Sequence, residues 1–236
     1  MNVADWPVWV RLAQDAAPLL PQPSFLPLLR QAGWALVLAA LVPTVMQGFG
    51  AHRMRDKAGL LAMACALWAG IPGPWGLSYW LGLAFQTPSL MAMVLSLQYL
   101  WQRLTQRKWP QTWQAPGLPA ATPQPSPWWP CRYAVLGMVL GWLLLLDTFA
   151  YLPVALYAWG FSPLAYALFL LLAMAPWVMA PGYVQTAPAP ALLCVLAVFG
   201  LTRWPTGNVW DAVLDPWLFV GLHVYLFARY RAHRGD

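Results

Sequence analysis

The chain contains no glutamate; its acidic groups are seven aspartates, and only two lysines accompany the eleven arginines. Charge is missing altogether from residues 58–102, and residues 133–202 carry one charged side chain, Asp147. Surface helices of a water-soluble domain need a polar face, which stretches this long cannot supply. A bilayer asks the opposite, about 20 consecutive apolar residues per crossing. The pattern predicts an all-α, polytopic transmembrane helix bundle of about seven spans.

Other absences narrow the chemistry. No GxSxG, HExxH, P-loop or GxGxxG motif is present. Cys65, Cys131 and Cys194 are far apart and never fall in a CxxC or Cys/His ligand spacing, so neither a disulfide framework nor a zinc site is expected. Both lysines, Lys57 and Lys108, fall in predicted loops, which excludes a retinal Schiff base. His223 is the one histidine in a predicted span, so bis-histidine haem ligation within the chain has no second ligand. No metal and no cofactor is therefore expected, and a membrane enzyme ranks last for want of a catalytic group set. The N-terminus lacks the pattern of a cleaved signal peptide, since Asp5, Arg11 and Asp15 interrupt it, and is expected to be retained. Neither Asn2 nor Asn208 opens an N-glycosylation site.

What is present is apolar: 61% of the 236 residues are hydrophobic and 8% charged, leaving no room for a sizeable soluble domain. Residues 1–28 read as an N-terminal amphipathic helix, from Trp6 to about Ala17 and capped by Asp5, followed by a Pro-rich extended connector from Pro18 to Pro27. Residues 29–104 hold spans 1–3. Span 1 runs over Leu29–Phe49 with Pro43 as a kink point, and spans 2 and 3 share Ala58–Gln102, broken around Ile71–Trp75. Residues 105–131 form a connection with seven prolines and four tryptophans, suited to act as a spacer or to present an extended strand to a partner. Residues 132–230 hold spans 4–7, at Tyr133–Leu152, Pro163–Met179, Ala189–Thr202 and Val213–Arg229, and 231–236 are a basic tail. A six-span variant with a re-entrant span 2 is the competing topology.

Orientation follows from basic residues. Ten of the thirteen lie in the His52–Lys57 turn, the Arg103–Arg132 segment or the Arg229–Arg234 tail. With seven spans all three fall on one side, which the positive-inside rule makes cytoplasmic, so the N-terminus lies outside. The net charge of +6 thus reflects lipid and orientation, not nucleic acid. Tryptophans near predicted span ends, Trp34, Trp75, Trp101, Trp159, Trp177 and Trp217, read as an aromatic belt. One internal echo stands out. Trp75-Gly76-Leu77-Ser78 with Phe85 recurs as Trp159-Gly160-Phe161-Ser162 with Phe169, each at a predicted outer turn. It is the kind of signal that tandem transporter repeats leave, although abundant Trp, Gly and Phe also produce it by chance.

Two intramembrane residues are candidates for ligand binding or proton relay. Asp147 is a charge inside a span, which costs at least about 2.5 kcal/mol, yet it lies about 21 Å beyond Tyr133 and thus near the outer end. His223 sits mid-span, where it could shuttle a proton, bond a quinone oxygen or pair with Asp147; an interhelical hydrogen bond is the plainer reading. The turn containing Arg203, Trp204, Asn208, Trp210, Asp211 and Asp215 is the densest polar and aromatic group. It suits a head group or partner, or else is a capped turn with Asp211 or Asn208 starting span 7. The expected function is a non-enzymatic scaffold, assembly factor or accessory subunit of a bacterial-type inner (plasma) membrane complex, its partners the lipid bilayer and other membrane-protein subunits. The alternative is a carrier or binder of a lipid, quinone or other apolar molecule.

Overall fold

A computed structural model describes residues 20–48, 55–105, 128–179 and 188–234. The expected amphipathic helix over Trp6–Ala17, most of the Pro/Trp-rich connection and the interval around Pro181 lie outside these residues. The chain divides into two compact units, Pro21–Pro110 and the remainder. Among the described residues every regular element is helical.

In the N-terminal unit, a 3-10 turn at Pro23–Phe25 leads into α1, Leu26–Gly48, so the extended connector ends earlier than expected. Pro27 is the second residue of α1, where a missing N–H costs nothing. α1 continues through the buried Pro43, and the neighbouring Thr44 hydroxyl donates to the Ala40 carbonyl at 2.7 Å. α2, Arg55–Gly70, lays a face of small residues, Ala58, Ala62 and Ala69, inward against α1. Small side chains let two backbones approach closely. Trp34, 1% exposed, is the centre of the core formed with Val37, Ala69 and Ala92. The aromatic-belt assignment is therefore wrong for Trp34, whereas Trp75 at 84% exposure fits a belt position.

Span 3 is not one helix. α3, Leu77–Phe85, and α4, Leu90–Thr105, are separated by a break at which Gln86 takes a positive φ of 62°. Buried Pro88 withdraws a backbone donor there. Ser89 restarts the helix, its hydroxyl accepting the Ala92 N–H at 3.0 Å. The indole of Trp34 donates to the Gln86 carbonyl at 2.9 Å, satisfying an acceptor that the break leaves free.

In the C-terminal unit, α5, Trp128–Thr148, packs antiparallel to α10, Pro216–Arg234. Gly137 and Gly141, one helical turn apart, receive Leu222 and Phe219; a Cβ at Gly137 would stand 2.7 Å from the Leu222 methyl, and one at Gly141 would collide with the Phe219 ring. This GxxxG spacing sets the closeness of the pair. α6 (Leu156–Trp159) follows, then α7 (Pro163–Met179), α8 (Pro188–Thr202) and the short α9 (Val209–Val213). Tyr133 on α5 donates to the Leu172 carbonyl on α7 at 2.9 Å, and Tyr166 on α7 to the Leu196 carbonyl on α8 at 3.0 Å.

Among the described residues, two helices can cross a membrane by length and composition, Pro23–Met46 and Cys131–Thr148. The core helix of a soluble protein passes the same test but is mostly buried; only 28% and 11% of these two lie inside the fold. The other expected spans are short: α2 has 16 residues, α7 has 17 and α8 has 15, against about 20 for a full crossing. α10 has 19, but Arg229, Arg231 and Arg234 occupy its end. Helix length thus supports two crossings of the seven expected from charge patterning. In both copies of the Trp-Gly-x-Ser echo the tryptophan ends a short helical turn and the serine is buried near the start of the next helix, two positions apart in register. Ser78 lies inside α3, while Ser162 precedes α7 and accepts the Ala165 N–H at 3.3 Å.

Candidate functional site

Three of the polar residues singled out from the sequence, Asp147, Asn208 and Asp211, converge on one residue that was not, Tyr157. Asp147, the penultimate residue of α5, reaches past the helix end, and its Oδ2 accepts the Tyr157 backbone N–H at 2.6 Å. That N–H is one of the orphan donors at the start of α6, so the carboxylate acts as a distant cap. The chain between them turns at Ala150, with φ of 57°, where Ala150 N–H donates to Asp147 O and Tyr151 N–H to Leu146 O. This pair of bonds is a Schellman closure.

The second half comes from the segment after α8. Arg203 ends that helix at a φ of 58°, its N–H donating to the Phe199 carbonyl at 2.7 Å and its guanidinium 5.3 Å from the Phe199 ring centre. Trp204–Pro205 is a cis peptide, and Gly207, φ 85°, donates back to the Arg203 carbonyl at 2.8 Å. Asn208 is fully buried, and both ends of its amide are used. Oδ1 accepts the Trp210 N–H at 2.9 Å, capping α9, and Nδ2 donates to the Tyr157 carbonyl at 2.9 Å. Such a group is costly to bury unless satisfied in this way. Trp210 donates from Nε1 to the Leu156 carbonyl at 3.1 Å and sets its ring edge-on to Phe169. Gly160 makes the approach possible, because a Cβ there would collide with Asn208 Oδ1 and the Trp210 ring.

Asp211 completes the ring of bonds. Its Oδ2 accepts both the Tyr157 hydroxyl at 2.7 Å and the Thr206 hydroxyl at 2.5 Å. Burial first, then the hydrogen bond and negative charge of Asp211, push the Tyr157 phenol well above its ordinary value of 10.0. It remains a protonated donor throughout the neutral range. Asp215, not Asp211 or Asn208, caps the last long helix: its Oδ1 accepts the Leu218 N–H at 2.7 Å, with Pro216 in the first turn.

No family model matches this chain, and no curated protein or solved structure matches it. Its chemistry therefore rests on its own geometry.

His223 lies apart from this cluster. Its Nδ1 stands 2.8 Å from the Phe219 carbonyl, and its Nε2 is 3.1 Å from the Trp142 indole nitrogen on α5. A carbonyl only accepts and an indole N–H only donates, so this pair of partners selects the tautomer with its proton on Nδ1. Although α5 and α10 pack together, His223 and Asp147 are not joined: one is bonded to Trp142 and Phe219, the other to Tyr157. Among the described residues no group of three His, Cys, Asp or Glu is placed to hold a metal ion. The arrangement can fasten three segments, α5, α6 and the turn before α9, through a single tyrosine. Tyr157, Thr206 and Trp142 carried no motif and were not among the sequence candidates. Gly137 and Gly141 were legible by their spacing.

Proposed function

We propose that the chain is a multi-pass inner-membrane protein that serves as a scaffold, assembly factor or accessory subunit of a membrane complex. The observation that carries this reading is the contrast between its polar and apolar groups. Asp147, Asn208, Asp211, Asp215 and His223 are each committed to bonds within the fold. Large apolar side chains stay uncovered, among them Val139, Trp142 and Leu143 on α5 and Val220, Val224 and Phe227 on α10. An exposed apolar surface of this extent suits lipid and neighbouring helices. The seven-span topology, with the N-terminus outside, draws its support from the basic residues at the His52–Lys57 turn, the Arg103–Arg132 segment and the tail. The carrier reading draws less support, because its two proposed residues do not converge and end on backbone and indole groups.

The test is gentle-detergent purification of the tagged chain, with mass spectrometry of co-purifying proteins and extracted lipids. Stoichiometric membrane-protein partners, recovered equally with Asp147→Asn and His223→Ala, are the expected result. A lone protein enriched in one small molecule, with that enrichment lost in either variant, would replace the scaffold with a carrier.

A further inference from the structure

Arg30 stands inside α1, within a stretch long and apolar enough to cross a membrane. Its side chain is laid against α3, where Gly82 has no Cβ to oppose it; a Cβ there would run into Arg30 Cδ and come within 3.1 Å of Nε. Arg30 as a whole is half-buried, and its Nε is buried without a hydrogen-bond partner. Desolvating a guanidinium N–H without an acceptor is costly, and among acceptors an anion gives the strongest, charge-assisted bond. Among the described residues of this unit the one acidic residue is Asp56, in the first turn of α2, whereas Arg30 lies near the start of α1.

The surroundings indicate depth. Trp68, Trp75 and Trp80, exposed by 50%, 84% and 59%, cluster where α2 ends and α3 begins, tied by indole bonds to the Trp75 and Pro74 carbonyls at 2.8 and 2.9 Å. Exposed tryptophans of this kind settle at headgroup level. Gly82, and with it Arg30, follows Leu77 by little more than one helical turn. That depth puts the guanidinium fork just beneath a phosphate layer, and the fork matches two oxygens of one phosphate.

We propose that Arg30, held in the Gly82 notch between α1 and α3, binds a phosphate-bearing anion. The site stands on the geometry of its own unit; only its occupation by a lipid headgroup rests on the membrane reading above. Full-length protein, Arg30→Gln, Arg30→Lys and Gly82→Ala are purified in nonionic detergent and checked for retained helicity by circular dichroism. Native mass spectrometry then measures retention of added phosphatidylglycerol, and thermal shift measures the response to inorganic phosphate. Arg30→Gln is expected to lower binding about tenfold. Gly82→Ala lowers it several-fold with the charge kept, because the guanidinium is displaced, and decides the matter if Arg30→Gln does not fold. Arg30→Lys keeps the charge without the fork and falls between. Loss of lipid retention alone identifies a headgroup, and loss of the phosphate response alone identifies a free anion; either supports the site. Equal behaviour of wild type, Arg30→Gln and Gly82→Ala in both assays overturns it.

Discussion

At the residue scale, Tyr157 shows how burial and a carboxylate partner hold a proton in place, and His223 how two partners select a tautomer. The Tyr157 phenol is raised in the folded chain relative to the unfolded one. Its stabilisation is therefore complete below the ordinary value of 10.0 and is lost as pH climbs beyond that toward the folded value. Tyr157→Phe should cost about 1 kcal/mol at neutral pH and flatten this alkaline decline, measured by thermal melting across pH in detergent; an unchanged decline would remove Tyr157 as its source. For His223, nitrogen NMR should find the imidazole proton on Nδ1, and Trp142→Phe should cost about 0.6–1 kcal/mol. A proton on Nε2 would contradict the Trp142 bond. Residue types here were legible in the sequence but partners were not. Asn208 is a capping residue by type, and Asp215, passed over for Asp211 or Asn208 at the start of the last span, is marked only by the Pro216 that follows it, while the choice of Tyr157 as common partner is made by segments about fifty residues apart.

At the element scale, local rules that the sequence states plainly are obeyed, and those it states weakly decide the surprises. Gln86-Thr87-Pro88-Ser89 is a helix-breaking and helix-starting run, yet it sits in a long uncharged stretch where apolar continuity dominates the reading. Ala150 occupies a left-handed position that favours glycine. Ala150→Gly should raise stability by about 1 kcal/mol, read as a higher melting temperature; a lower one would mean the Schellman closure is not the preferred end of α5. Glycines on the paired helices α5 and α10 make a sharper contrast. Gly141→Leu drives a side chain into Phe219 and should cost upward of about 2 kcal/mol, whereas Gly221, with nothing within 4 Å of a built Cβ, should accept alanine with a gain of up to about 1 kcal/mol. Equal responses at the two positions would disprove the notch.

At the scale of the whole molecule, helical class and the positions of most helices were legible because uncharged stretches leave the backbone few ways to satisfy its own polar groups. The number of crossings was not legible to the same degree, since charge spacing measures the interval between loops and says little about how much of it is helix. Reporter fusions address it directly. A topology reporter placed after Asp236 should face the cytoplasm and one inserted between Thr206 and Gly207 the opposite side; both on one side would refute the arrangement drawn from the basic residues. The Tyr157 fastening also has a meaning in time. Its bond from Asp147 joins residues only ten apart and can close as soon as α6 is made, but the partners of its hydroxyl and carbonyl, Asp211 and Asn208, lie more than fifty residues downstream. During synthesis the chain made as far as α6 thus carries an unfilled socket, and the turn that follows α8 arrives where the place that receives it already exists.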